Sequence, residues 1–260
     1  MPVIYFLIYF ITFQSQSLFA SEKHANEHFD FYSYILNVFG VDGEHTHLWS
    51  PFLSGLLTLV IVTVVGLLFR LSLKHSVDAS PDGKPTLRSF SEVVLDLVYG
   101  IAKDNCGPHF EKYLPLLSGL FIFILTCNLT GLIPGLPPAS ENMGANLAMG
   151  LMAFLVYNYA GIKEHGFGYV KQFLGPMVFL APLFIIIELI SHAARPLSLS
   201  LRLLGNIYAD HLMLGLFTDL TKIGVPAILL LFGLLVAVVQ SFIFTLMTAI
   251  YISMAISHDH

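Results

Sequence analysis

Apolar residues in this chain come in runs long enough to cross a bilayer, separated by short polar stretches. A spanning helix takes about 20 mostly apolar residues, and that length predicts segments at 2–20, 50–69, 114–134 and 144–161. A much longer apolar region follows at 173–217, and a last one at 224–256. Between 70 and 114 the pattern changes. SVDASPDGKPT has loop composition. After it, Leu87, Phe90, Val94, Leu97, Val98 and Ile101 recur at spacings of three and four, opposite Arg88, Glu92, Asp96 and Lys103. That periodicity predicts an amphipathic helix over 86–105, lying on the cytoplasmic membrane surface. The expected fold is an all-α polytopic membrane protein. Its membrane domain runs over 50–260, with a hairpin at 114–161 and inclined helices at 173–217 and 224–256.

Composition narrows the class further. The chain is 56% hydrophobic and 11% charged with a mean hydropathy of +0.77, against roughly 25% charged for soluble domains. A soluble globule is excluded, and no basic patch points to nucleic acid. Cys106 and Cys127 have neither a CxxC partner nor a histidine cluster at metal spacing, so both read as free thiols. No cofactor or metal motif is present. The opening VIYFLIYFITF, followed by QSQSLFA, resembles a signal peptide ending near Ala20, although it has no Lys or Arg before the apolar run. A cleaved signal and a retained first helix both remain open for 1–20.

The basic residues set the orientation. Arg70, Lys74, Lys84, Arg88, Lys103, Lys112, Lys163 and Lys171 fall on one side of the predicted spans, and only Lys23 and Lys222 on the other. The positive-inside rule makes the first side cytoplasmic. Residues 21–49 and the loop PGLPPASENMG (134–144) are then expected to be periplasmic, and the C-terminus cytoplasmic.

The region 173–217 is too long for one upright span: as helix it measures about 65 Å, against a hydrocarbon core of about 30 Å. It is either two spans broken at Arg195–Pro196 or one oblique helix. Its polar residues favour continuity. At about 100° per residue, Glu188, Ser191, His192, Arg195, Ser198, Arg202, Asn206 and Asp210 fall within an arc of roughly 120°. His211 lies near the opposite side of that wheel, facing a second helix or marking a distortion. Arg202 is the hardest of these residues to explain. It has no Lys or Arg within six residues and is flanked by Leu199, Leu201, Leu203 and Leu204. A guanidinium at membrane depth costs between ~2.5 and ~17 kcal/mol, which points to a required fixed charge and to ion movement. In the last segment Gly233, Gln240, Met247 and Tyr251 align within about 40°, with Thr248 beside them. A buried Gln in hydrocarbon needs partners. Gln240, Ser241 and Thr245 could instead bond helix to helix, and Asn128 could be interhelical glue or line a channel.

The run Ser198-Leu-Ser-Leu-Arg202-Leu-Leu-Gly205-Asn206-Ile-Tyr-Ala, with Gln240-Ser-Phe-Ile-Phe-Thr-Leu and Tyr251 following, resembles subunit a of F-type ATP synthases. The resemblance covers most of the chain from about residue 45 and is most specific in 188–211 and 240–251. It implies a proton-channel stator beside a rotating c-ring, with one outer span, a surface helix, a hairpin and two highly inclined helices. It implies as partners the c-ring subunits, the subunit b peripheral stalk, the rest of the F-type ATP synthase and the lipid bilayer; the signal-like start and the acidic, His-bearing segment after it point to a bacterial inner membrane, with an organelle membrane still open. It implies no covalent chemistry in this chain. Carried over by motif position, Arg202 faces the c-ring carboxylate, and Glu188, Ser198, Asn206, Gln240 and Tyr251 line or border half-channels, with Asn128 in the hairpin. The expected outer path is Asp210, His211, Asn206, Gln240 and Asn128, and the inner path Glu188, His192 and Ser198. One position departs from the pattern. Members of that family often carry His or Glu seven residues before Gln240, paired with position 211, and this chain has Gly233. Asp210 is expected to supply the missing carboxylate.

Arginine suits the central role because it stays protonated where a desolvated lysine does not. It attracts and releases a passing carboxylate without itself becoming a proton leak. A Na⁺-coupled form of the same subunit is the nearest alternative. A secondary transporter would show two related halves, and no second copy of 188–210 exists. An intramembrane hydrolase would need HExxH or GxSxG, and a b-type cytochrome would need His pairs on facing helices. None of these is present.

Overall fold

The computed structural model describes residues 52–67, 87–107, 110–133, 136–166, 169, 181–221 and 224–256. The expectations for 1–20, for 21–49 and for the loop before the amphipathic helix lie outside them. Six helices account for nearly all of the described chain. They are α1 (Phe52–Leu67), α2 (Leu87–Cys106), α3 (Phe110–Gly131), α4 (Met143–His165), α5 (Ala181–Leu220) and α6 (Gly224–Ile256). No strand occurs among the described residues. The last four are each long and apolar enough to cross a membrane. The fold is an all-α polytopic membrane protein, as the apolar runs predict.

Local chemistry accounts for the ends. The Asn142 side chain caps α4 by accepting from the Gly144 N–H at 2.7 Å. Gly166, at φ 55, takes the left-handed turn that closes the same helix. Between α3 and α4 a single 3₁₀ turn, Ala139–Glu141, reverses the chain.

The long apolar region is one helix. Pro196 sits inside α5 without ending it. Proline removes one backbone N–H and leaves the His192 carbonyl without its helical donor; one turn on, the Ser200 hydroxyl lies 2.7 Å from the Pro196 carbonyl and 3.0 Å from that of Asn146 on α4. Gly150 makes this approach possible. A Cβ there would stand 2.6 Å from the Pro196 carbonyl oxygen, so α4 meets the α5 backbone directly. At 1.5 Å per residue the 40 residues of α5 span about 60 Å. The helix is described over Ala181–Leu220, against the predicted end at 217, and the predicted start at 173 lies outside the described residues.

Two apolar clusters hold the helices together. Val98, Leu117, Phe121, Tyr157 and Ile252 join α2, α3, α4 and α6. Leu120, Ile124, Ala153, Leu203 and Phe244 join α3, α4, α5 and α6. The amphipathic reading of α2 needs one correction. Its buried face is Val94, Val98, Ile101, Ala102 and Cys106, whereas Leu97 is exposed. Burial pushes the Cys106 thiol up to about 11, so it stays a protonated packing residue. Both cysteines are free, as read from the sequence. Leu183, Ile186, Ile187 and Ile190 on α5 and Leu231, Phe232 and Leu235 on α6 are exposed. Such apolar bands suit lipid.

Candidate functional site

The polar arc of α5 lies along the seam between the rest of the chain and the outside. On one edge His192 is buried, and Asn206 and Asp210 are half-buried; on the other, Ser191 and Ser198 are exposed. Arg202 sits between the edges, half-buried, and among the described residues nothing pairs with it or hydrogen-bonds to it. Ser198 and Gly205, within one turn of it on either side, are exposed, as are Ser191, Ala194 and Ala209 farther along the helix. Gly205 has nothing within 4 Å of where a Cβ would be.

Toward the C-terminal end of α5 the side chains converge on a pocket lined by Asn128, Asn206, Asp210, His211, Gly233 and Gln240, among others. Asn206 donates to the Gln240 amide oxygen at 2.6 Å. Asn128 donates to the Ala237 carbonyl at 3.5 Å and accepts from Ser140 at 3.4 Å. Asn128 thus ties α3 to α6 and lines the pocket. The Gln240 amide nitrogen is buried without a partner among the described residues. In a polar pocket such a donor is served by water. Of the three residues read as possible interhelical ties, Gln240 bonds across to α5, whereas Ser241 and Thr245, like Thr248, bond back to carbonyls of their own helix at 2.8–2.9 Å.

His211 does face another helix. Its Nε2–H donates to the Gly131 carbonyl at the end of α3, at 3.2 Å. Its Nδ1 lies 3.6 Å from the carboxylate of Glu141. The carboxylate that meets His211 therefore comes from the turn between α3 and α4, while Asp210 lines the same pocket from α5. A Cβ at Gly233 would come within 2.9 Å of Leu132 Cδ2, the movable end of a side chain, so packing alone does not demand glycine there.

Toward the N-terminal end of α5 a second polar group forms. Glu188 pairs with Arg195 at 3.6 Å. The Arg195 guanidinium lies 5.3 Å from the Tyr251 ring centroid and 5.8 Å from that of Tyr157. His192 Nε2–H donates to Asn158 at 2.8 Å, and the Tyr157 hydroxyl is 3.5 Å from both imidazole nitrogens. Tyr251 belongs to this group and not to the pocket.

The sequence singles out most of these positions but passes over Glu141, Arg195, Tyr157 and Asn158 as site residues. Arg195 carries the same signal as Arg202, a cation in an apolar run. Glu141 carries none, because an acid in a polar loop reads as solvated.

The geometry is that of a membrane protein with two separate polar clusters and a lone arginine between them. The family model described as ATP synthase A chain matches residues 53–253. The chain belongs to that family. It is 42% identical over 223 residues to ATP synthase subunit a of Bdellovibrio bacteriovorus, covering 85% of this chain and 96% of that one. It is 39% identical over 236 residues to ATP synthase subunit a 2 of Syntrophotalea carbinolica, covering 91% and 95%. It is 39% identical over 204 residues to ATP synthase subunit a of Geobacter sulfurreducens, covering 78% and 86%. Membership makes it a multi-pass membrane component of an ATP synthase, with ATP synthesis and ion transport as its setting.

Proposed function

We propose that this member of the ATP synthase A chain family is the stator half of a proton turbine. In this reading two aqueous half-channels, one reaching each side of the membrane, end on either side of Arg202. The Asn206–Asp210–His211–Gln240 pocket is the outer one. The Glu188–His192–Arg195 cluster is the inner one. The carrying observation is that Arg202 lies between the two clusters with no anion beside it among the described residues. A buried cation without a counterion is expensive, so its counterion comes from another chain, the carboxylate of a c-ring subunit. The small residues around it support that placement, because helices approach closely over Gly, Ala and Ser.

Arginine cannot give its proton away, so it separates the clusters electrically while exchanging one carboxylate for the next. The carboxylate accepts a proton from one half-channel, turns through the lipid, and releases it to the other. Each proton yields about 2.3 kcal/mol per 100 mV. Histidine in both clusters favours H⁺ over Na⁺, since imidazole carries protons and binds alkali cations poorly. The unpartnered Gln240 donor supports a wet outer pocket. The charge count puts residues 21–49 and the α3–α4 turn outside and the C-terminus inside, the apolar runs set a membrane domain over 50–260, and the signal-like start points to a bacterial inner membrane. The subunit b stalk then holds this chain against the rotor, and α5 and α6 lie inclined along it.

The test is Arg202→Ala in inverted membrane vesicles. ATP-driven acidification of the lumen is expected to fall to background with the complex still assembled. Pumping at the parental rate overturns the proposal. Pumping that requires Na⁺ and survives a protonophore assigns the other ion.

A further inference from the structure

Glu141 is placed as no solvated loop charge needs to be. The turn that carries it is anchored on both sides. Ser140 is buried and bonds Asn128, the Ser140 carbonyl accepts from Asn146 at 2.6 Å, and the Asn142 N–H bonds the Ala139 carbonyl. Those ties hold the Glu141 backbone at the pocket rim. From there its side chain, 43% exposed, meets His211, whose side chain is 31% exposed. Both imidazole nitrogens face oxygen. Gly131 offers a carbonyl, which neither gives nor takes protons. Glu141 offers a group that does both. Among the pocket residues from α3 and α6 none titrates, and Asp210 on α5 is the remaining acid facing the ring.

We propose that Glu141 collects protons for the outer half-channel and passes them to His211. This deepens the channel reading and rests on it. A hydronium ion in the outer water protonates the Glu141 carboxylate, leaving water. The new O–H gives its proton to His211 Nδ1, which regenerates the carboxylate and leaves an imidazolium, its Nε2–H still on Gly131. The imidazolium then loses one proton to a water in the pocket and returns to neutral. That water stands beside Asp210, the next acid inward. The pair does the work that Gly233 leaves undone from α6, with the carboxylate supplied from the other wall.

The test compares Glu141→Gln and Glu141→Asp in vesicles holding the assembled complex. ATP synthesis driven by an imposed gradient is measured against the pH of the outer face. Detergent-released ATP hydrolysis and co-purification of the other subunits report assembly. Glu141→Gln is expected to lose about tenfold or more of the rate at neutral and alkaline outer pH. The loss should shrink as outer pH falls, because bulk hydronium then reaches His211 without help. Glu141→Asp should recover most of the rate. A Gln variant with the parental rate and pH profile overturns the proposal. So does loss of assembly in Gln, because it makes the pair a structural tie only. Arg202→Ala run alongside separates the two levels: if it conducts, the channel reading itself fails, whatever Glu141 does.

Discussion

Two arginines lie two turns apart on α5, and the fold treats them oppositely. Arg195 is neutralised at home, with Glu188 at 3.6 Å and the faces of Tyr157 and Tyr251 at 5.8 and 5.3 Å. Arg202 has no such partner among the described residues. An aromatic and carboxylate cage satisfies a guanidinium permanently. An uncaged one is satisfied only when something else arrives. The helix thus contains its own control. Both are half-buried and carry the same charge, and among the described residues the resident counterion is what sets Arg195 apart from Arg202.

The largest expected effect breaks that comparison directly. Lysine keeps the charge of either arginine but desolvates to a neutral form and loses the planar fork. Arg202→Lys should abolish coupled proton pumping in membrane vesicles, because a group able to release its proton opens a path between the half-channels. Arg195→Lys keeps Glu188 beside it and should reduce pumping at most a few-fold. Equal losses in both would mean that Arg202 is not the distinctive residue. A second, somewhat smaller effect concerns the scaffold under both. At Gly150 a Cβ meets the Pro196 backbone at 2.6 Å, and backbone cannot swing aside. Gly150→Val should cost about 1–3 kcal/mol or more, read as less assembled complex and a lower melting temperature after extraction. Any pumping lost should scale with the protein lost. Pumping lost from fully assembled complex would show that the α4–α5 approach sets channel geometry as well as stability.

The sequence discloses the helices well and the clusters unevenly, for physical reasons. Lipid imposes long apolar runs, so α3, α4 and α6 can be read from length alone, whereas α5 also needs its polar arc to be read as one helix. Their ends are less legible because caps such as Asn142 and Gly166 are short-range chemistry. The α5 wheel groups the residues of the seam correctly, since one helix has one period. It cannot show that Glu188 meets Arg195 seven residues on, nor that Tyr251 leaves its own stripe to join Tyr157. Those are meetings between rotamers and between helices. Glu141 is the extreme case. Its role depends on a turn folded back over α3 and α5, and no period in the chain encodes that distance.

The smallest effect sharpens the account of Arg195. If its cage works through ring faces, Tyr251→Phe keeps the face and discards only the hydroxyl, so stability should hardly change. Tyr251→Leu keeps apolar volume but removes the π cloud, and should cost about 0.5–2 kcal/mol. Thermal unfolding of the extracted complex measures both. The outcome to watch is the order of the two variants. A Phe variant as damaged as the Leu variant would assign the contribution to the Tyr251 hydroxyl. Arg195 would then be held by Glu188 and Tyr157 alone. In that case the contrast with Arg202 narrows to one carboxylate, and Glu188→Gln should make Arg195 behave more like its neighbour two turns away.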